Sequence, residues 1–392
     1  MEGDFIKINK WLLPLSWLYG IGVWLRNLLF DTGVIKSRTF DVPVISVGNI
    51  TVGGSGKTPH VEYLISLLHD KVKVAVLSRG YKRKSRGYRL AGAETTMPEI
   101  GDEPYQMHRK FPDIHVAVEA DRCKGIETLL QSPETQDTQL VLLDDAYQHR
   151  YVKPGMNILL VDYHRLIIYD KLLPAGRLRE PKEGKNRADI VIITKCPRDL
   201  KPMSFRVLQR AMALFPFQQL YFTTIDQCPL EPLFEEGEAA PKEENLPNVL
   251  LVTGIASPEQ MVKDLKGHCR SITPMQFGDH HQFTASDVEA INMAYKMMEK
   301  PAIIITTEKD ATRLETVSGL SEEVRKNTYV QPIRISFMLN EGDKFNNNII
   351  DYVRKHQKNG RMAERTDDNS AASGNSAGDR TRTIGFRNNR YV

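Results

Sequence analysis

The stretch Asn49-Ile-Thr-Val-Gly-Gly-Ser-Gly-Lys-Thr58 constrains this chain more than any other. It lies between an apolar, strand-like run at 42–47 and a run with apolar residues at 61, 64, 65 and 68, the spacing of one helix face. Glycines let the backbone curl until several N–H groups face one phosphate chain. The following helix adds its positive end, Lys57 can reach the β/γ oxygens, and the Thr58 hydroxyl can ligate Mg²⁺. Pro59 is tolerated in a first helical turn. The common pattern has a glycine where this chain has Thr51. The segment reads as a cradle for a nucleoside triphosphate formed by Thr51, Val52, Gly53, Gly54, Ser55, Gly56, Lys57 and Thr58. An ordinary glycine-rich turn is the competing reading.

Further strand-like runs at 72–77, 115–118, 140–143, 158–161 and 190–194 alternate with helix-like ones. Continuous apolar runs with helices between them predict a parallel sheet covered on both faces, which binds ligands at the carboxyl ends of its strands. The glycine loop, Asp144-Asp145 and Asp162 fall at such ends. The expected fold is α/β: a P-loop NTPase-like, mostly parallel sheet flanked by helices, with a smaller α/β C-terminal domain and an N-terminal membrane-associated helix. The expected boundaries are 1–35 for the helical segment, 36–228 for the core domain and 229–247 for an acidic, proline-punctuated linker. The second α/β domain spans 248–358, and a disordered tail 359–392, poor in aliphatic residues, ends the chain.

A length of 392 residues with 41% apolar and 26% charged residues suits a globular protein of two domains. A net charge of +4 does not by itself imply a nucleic-acid partner. The four cysteines form no CxxC pair, so neither zinc nor a disulfide framework is supported, and a reduced, cytoplasmic setting fits.

Residues 11–25 carry no charge and contain all three tryptophans, Trp11, Trp17 and Trp24. A helix of that length is roughly 22 Å long, short of the roughly 30 Å hydrocarbon core. Tryptophan favours the headgroup zone. The reading is a helix lying in or dipping into one leaflet, with burial on the protein's own core and a true span as the alternatives.

Several other constellations carry chemistry. Leu140-Val-Leu-Leu-Asp144-Asp145 is an apolar strand ending in two carboxylates, where a carboxylate beside a phosphate loop holds Mg²⁺; helix caps are the alternative. The basic segment from Ser78 to Tyr88 could hold phosphate or an anionic headgroup, or be solvated. Asp102, in Gly101-Asp102-Glu103-Pro104, is a helix cap or a general base. Asp279-His280-His281 is a cluster in which a histidine could orient a carboxylate base, and Arg177 and Arg179 could stabilise a transferring phosphoryl group. Thr194-Lys195-Cys196-Pro197 is a degraded guanine-reading motif, which favours ATP over GTP.

Taken together, GNITVGGSGKTP, LSRGYKRK, GDEP, LLDDAYQHR, LLPAGRLREP, VTGIA, FGDHHQF and TTEKDA stand in the order found in the tetraacyldisaccharide 4'-kinases, which this chain resembles from about residue 11 to 350. The resemblance implies MgATP-dependent phosphorylation of the 4'-hydroxyl of an acylated glucosamine disaccharide 1-phosphate in lipid A biosynthesis. It also implies a place at the cytoplasmic face of the bacterial inner membrane. Lys57 and Thr58 would bind phosphate and Mg²⁺, and Asp145 would hold Mg²⁺ with Asp144 supporting it. Asp102 would be the base with His280 as its partner. Gln148, His149, Arg179 and Glu180 would surround the phosphates and metal, and Tyr81 and Lys82 would lie on the substrate side. Ala146 and Tyr147 depart from a frequent Gly-Phe. The partners expected are the lipid substrate and a membrane surface, with no nucleic acid and no obligate protein partner evident. A regulatory NTPase switch and a tethered scaffold are the competing classes.

Overall fold

The computed structural model describes Ile6 and residues 8–241, 245–255, 259–279 and 281–372. After helix α1 (Leu13–Asp31) the chain forms β1 (Val44–Gly48), the glycine loop and α2 (Lys57–Leu68). It continues through β2 (Val74–Ser78), β3 (Arg89–Leu90), α3 (Met97–Ile100), α4 (Asp102–Lys110), β4 (His115–Val118), α5 (Arg122–Gln131), β5 (Leu140–Asp144), β6 (Met156–Asp162), β7 (Ile190–Thr194), α6 (Pro202–Met212) and β8 (Gln219–Gln227). A second unit contains β9 (Glu231–Pro232), β10 (Leu246–Thr253), α7 (Glu259–Leu265), β11 (Cys269–Gln276), α8 (Ala285–Met297), β12 (Ala302–Thr307), α9 (Glu308–Leu314), α10 (Glu322–Lys326) and β13 (Thr328–Gln331). Then come β14 (Ile333–Phe337) and α11 (Gly342–Ala372).

Among the described residues the strands make two sheets, ordered β14-β8-β7-β6-β1-β5-β2-β4-β3 and β11-β10-β12-β13-β9. Both are parallel inside, with antiparallel pairs only at edges: β3 on β4, β14 on β8 and β9 on β13. Every residue of β1, β2, β5 and β7 is buried, which is why these strands read as near-continuous apolar runs, broken inside only by Ser46, rather than alternating ones. β1 is central, between β5 and β6, and its register sets Val47 opposite Asp144 and Gly48 opposite Leu159. That register alone brings the glycine loop beside the aspartate pair.

Three boundaries differ from expectation. Part of the acidic stretch at 229–247 is structural: β9 pairs with β13, and Leu230, Leu233 and Phe234 are buried in the second unit's core. These three apolar residues, set among many acids and prolines, fold the stretch there. The second unit closes at β13, because β14 returns to the first sheet and α11 packs on it. Phe345, Ile349 and Val353, spaced by four along one helix face, join the same core as Val47 and Ile65. Finally, α11 continues to Ala372, into the stretch read as tail, where Arg-Met-Ala-Glu-Arg are good helix formers. Residues 373–392 lie outside the described residues.

No helix among the described residues is long and apolar enough to cross a membrane. α1 lies on the protein instead. The buried Ser16 hydroxyl donates to the Leu172 carbonyl (3.0 Å) and accepts from the Ala175 N–H (2.9 Å). Tyr19 donates to the Arg179 carbonyl (2.6 Å), and Arg26 to the Gln148 carbonyl (3.0 Å). Phe30 is buried edge-on to Tyr151 (5.1 Å), with the Arg26 and Arg150 guanidiniums over its ring. The opposite side of α1 leaves Trp17 (73% exposed), Leu18, Ile21 and Trp24 in solvent, and Trp11, in the turn before the helix, is 94% exposed.

Candidate active site

The glycine loop is held from two sides. Gly56 ends it at φ +79°, a left-handed conformation that an L side chain rarely adopts, and α2 begins at the next residue. On one side Val52 N–H donates to the Arg177 carbonyl and Arg179 N–H to the Ile50 carbonyl, both at 2.8 Å. On the other, Thr194 at the end of β7 donates to the Ser55 carbonyl (2.9 Å), and Lys195 donates to the Gly54 carbonyl while pairing with Asp162 (3.0 Å). Inside the loop the buried Asn49 amide donates to Ser55 Oγ (2.8 Å). Burial lowers the His60 pKa to about 4, so its ring is neutral near pH 7. Nδ1–H must then donate to the Gly56 carbonyl (2.7 Å), and Nε2 accepts from Thr223 Oγ1 (3.1 Å).

The two aspartates at the end of β5 have different environments. Asp144 is fully buried; Oδ2 accepts from Ser78 Oγ (3.1 Å) and Oδ1 has no hydrogen-bond partner. Burial first, then Glu103 and Asp145, push its carboxyl up to about 7 against the pull of Lys57. Asp145, at φ +45°, turns to Lys57 Nζ (3.7 Å) and Arg179 Nη1 (3.2 Å). Burial opposes its ionisation, but Lys57 and then Arg179 outweigh it and hold the carboxyl below the ordinary range.

The donors here fit a small hard cation: the orphaned Asp144 oxygen, the ionised Asp145 and the Thr58 hydroxyl beside Lys57 are all oxygen ligands. Among the described residues no group of three or more His, Cys, Asp or Glu side chains could hold a metal. A Mg²⁺ bound by one or two carboxylates with substrate phosphates completing its shell needs no such cage.

Gln148 ties this region together. Its amide donates to the Asn49 carbonyl (2.6 Å) and Glu180 Oε1 (3.1 Å), and its oxygen lies 3.4 Å from Arg179 Nη1. Glu180 is buried and ion-paired with Arg187 (2.9 Å). Its charge is matched by Arg187, and its Oε1 accepts from the Gln148 amide. His149 packs against Tyr151 (5.5 Å), its pKa lowered by burial and then by Arg122.

Asp102 opens α4 immediately after Gly101. Its carboxylate accepts from Nη2 of Arg313, a buried side chain of α9 that also pairs with the fully buried Asp310 (3.0 Å). Asp310 Oδ2 accepts from Gly254 N–H (2.8 Å) and Thr307 Oγ1 (2.7 Å). The GDEP, VTGIA and TTEKDA segments thus meet in space. The basic loop abuts them, since a Cβ on Gly101 would come within 3.0 Å of the Tyr81 carbonyl. Arg83 staples that loop to the Gly87 and Val118 carbonyls (2.7 and 3.4 Å), while Tyr81 and Lys82 are exposed. His280 lies outside the described residues. Its neighbour His281 caps structure rather than chemistry: it pairs with Asp287 (2.9 Å) and stacks on Phe277 (5.0 Å). Asp279 pairs with Lys309 (3.5 Å).

Several site residues were not assigned to it from sequence: Ser78, Asn49, Lys195, Arg122 and Arg313. Ser78 and Lys195 end strands of a parallel sheet, a position that could have flagged them. Arg122, buried and donating to the Asp144 carbonyl (3.3 Å), and Arg313 sit inside helices with no local signal.

Residues 8–354 match the sequence profile of the family described as tetraacyldisaccharide-1-P 4'-kinase, LpxK. The chain is 58% identical over 362 residues to the tetraacyldisaccharide 4'-kinase of Phocaeicola vulgatus, covering 92% of this chain and 99% of that one. To the enzyme of the same name from Bacteroides thetaiotaomicron it is 52% identical over 375 residues, covering 93% and 98%. The crystal structure of the "apo" form of LpxK from Aquifex aeolicus in complex with ATP superposes with a TM-score of 0.67 at 31% identity, over 87% of this chain and 98% of that one. With its glycine loop, aspartate pair and Asp102 turn brought together at the carboxyl ends of the first sheet's central strands, the chain belongs to the tetraacyldisaccharide-1-P 4'-kinase family.

Proposed function

We propose that this protein transfers the γ-phosphoryl group of ATP to the 4'-hydroxyl of an acylated glucosamine disaccharide 1-phosphate, a step of lipid A biosynthesis. The observation that carries the reading is the convergence of Lys57 and Arg179 on Asp145 beside the glycine loop. Two cations and a strand-end carboxylate stand where a triphosphate cradled by the loop would present its β and γ groups. The loop amides and the start of α2 bind the phosphates, and Lys57 and Arg179 neutralise charge that develops on the transferred group. Asp145, Asp144 and Thr58 would hold Mg²⁺, which would add to the neutralisation of the phosphate oxygens. Asp102 accepts the proton of the acceptor hydroxyl, with Tyr81 and Lys82 at the rim on the substrate side. Positioning and charge matching do most of the work, as general for phosphoryl transfer.

The acceptor carries acyl chains, so the site works at a membrane surface. The exposed Trp11, Trp17, Leu18, Ile21 and Trp24 support α1 as the contacting element, with the cytoplasmic face as the side that supplies ATP. The test is incubation with γ-labelled ATP, Mg²⁺ and detergent-dispersed acylated disaccharide 1-phosphate. Label should appear on the lipid and be lost in Asp102→Ala. Phosphate released to water without labelled lipid would move the reading to an NTPase switch.

A further inference from the structure

Arg313 is the one buried arginine of α9, and nothing in phosphoryl transfer requires it. Its side chain is 1% exposed. A guanidinium is expensive to bury unless its charge is matched, and an apolar residue would fill the same space at no such cost. It is matched twice, by Asp310 on its own helix and by Asp102 on α4. Asp310 is itself fixed by the Gly254 N–H and the Thr307 hydroxyl, so the planar guanidinium is presented to Asp102 in one orientation.

We propose that Arg313 is a positioning residue for Asp102: the second unit reaches across and sets the orientation of the carboxylate that serves the reaction. This rests on Asp102 being the base. The guanidinium donates to Asp102 Oδ2, so the pairing fixes one of the two carboxylate oxygens. The same helix pair is registered further along. Arg109 pairs with Glu315, and Lys110 joins Glu308 of α9 (2.6 Å) to Glu62 of α2 (2.7 Å), the helix that begins at Lys57. α4 is therefore held between the phosphate-binding helix and the second sheet, and Asp102 takes its place only when both are in position.

The experiment is a mutant cycle in the full-length protein with ATP and the detergent-dispersed lipid acceptor, using Arg313→Met, Arg313→Lys, Asp102→Asn and the double variant Asp102→Asn/Arg313→Met. Arg313→Met should lower kcat about 10- to 100-fold while the KM for ATP stays within about twofold. Arg313→Lys should fall between it and wild type, because an ammonium keeps the charge and loses the fork. The double variant should be no slower than Asp102→Asn alone, since Arg313 acts through that carboxylate. Wild-type kcat in Arg313→Met, or a double variant slowed by the product of the two single effects, would overturn the proposal. Wild-type turnover in Asp102→Asn would instead remove the base assignment. Should Arg313→Met lack a cooperative melt, Arg313→Lys alone and combined with Asp102→Asn provides the same comparison.

Discussion

Gly48→Ala tests whether the site depends on the close approach of β1 to the segment after β5. A Cβ at Gly48 would lie 2.7 Å from Tyr147 Cβ and 2.9 Å from Tyr147 N, where ordinary contact begins near 3.4 Å. Something must therefore move by about 0.7 Å, the difference between 3.4 and 2.7 Å. Tyr147 cannot easily yield. It is buried, its hydroxyl donates to the Gly184 carbonyl (2.7 Å), and the Arg187 guanidinium lies 4.8 Å over its ring. Overpacking of this kind costs about 1–3 kcal/mol, and at about 2–4 °C per kcal/mol the melting temperature should fall by several degrees.

The functional effect should be larger than the stability effect. Gly48 and Tyr147 bracket the gap between the glycine loop and Asp145, so the strain opens the Lys57–Asp145 contact at 3.7 Å. Misplacement approaching 1 Å costs about 100-fold in rate, so kcat should drop by about 10- to 100-fold in a protein that remains folded at 25 °C. Thermal melts and initial rates on one preparation measure both quantities. Gly92→Ala is the control, because a Cβ there meets nothing within 4 Å and should leave both unchanged. Wild-type melting and turnover in Gly48→Ala would refute the packing argument.

Asp170→Ala should destabilise by about 3 kcal/mol in urea titrations and weaken ATP binding, because it strands Arg165 (2.7 Å) and releases the Lys171 and Arg177 N–H groups that shape the 170–179 segment. Unchanged ATP affinity would separate that segment from the glycine loop. Ile349→Ala should cost about 3 kcal/mol in the same titrations, since its side chain is fully buried in the core of the first sheet. A loss below about 1 kcal/mol would place α11 outside that core.

Sequence made the first sheet and half the site legible for the same reason. Fully buried parallel strands must be apolar throughout, and their carboxyl ends are where polar residues break the run. Asp144 and Asp162 are visible that way, and Asn49, Ser78 and Thr194 stand at equivalent strand ends without being marked as site residues. Lys57 and Thr58 followed from the loop that precedes them. What sequence could not show is contact between segments far apart in the chain. Arg313 meets Asp102 across 211 positions, and nothing near either residue marks the other. Glu180 shows its charge in the sequence but not its partner, because the pairing with Arg187 exists only once the 180–187 segment folds. The second unit's end was misplaced because β14 and α11 look like any strand and helix; only their pairing with β8 and the first core shows which sheet they serve.

The docking of α1 separates two roles that deletion of residues 1–30 would merge. One face carries the exposed Trp17 and Trp24, and the other carries Tyr19 and Arg26, whose hydrogen bonds end on the carbonyls of Arg179 and Gln148. Those two residues surround Asp145, so the helix that would meet the membrane also braces the phosphate-binding loops. Deletion should release the protein from vesicles and also impair turnover in detergent, and so cannot distinguish anchoring from bracing. Point substitutions can. Trp17→Ser removes apolar surface whose burial is worth about 2 kcal/mol, roughly thirtyfold in vesicle partition, and leaves kcat in detergent alone. Tyr19→Phe should leave partition alone and lower kcat in detergent by a fewfold, the cost of about 1 kcal/mol for one lost hydrogen bond felt at the Arg179 backbone. Equal effects of the two substitutions on both measurements would mean that α1 is a single undivided anchor and that its bonds to the site loops only hold the helix in place.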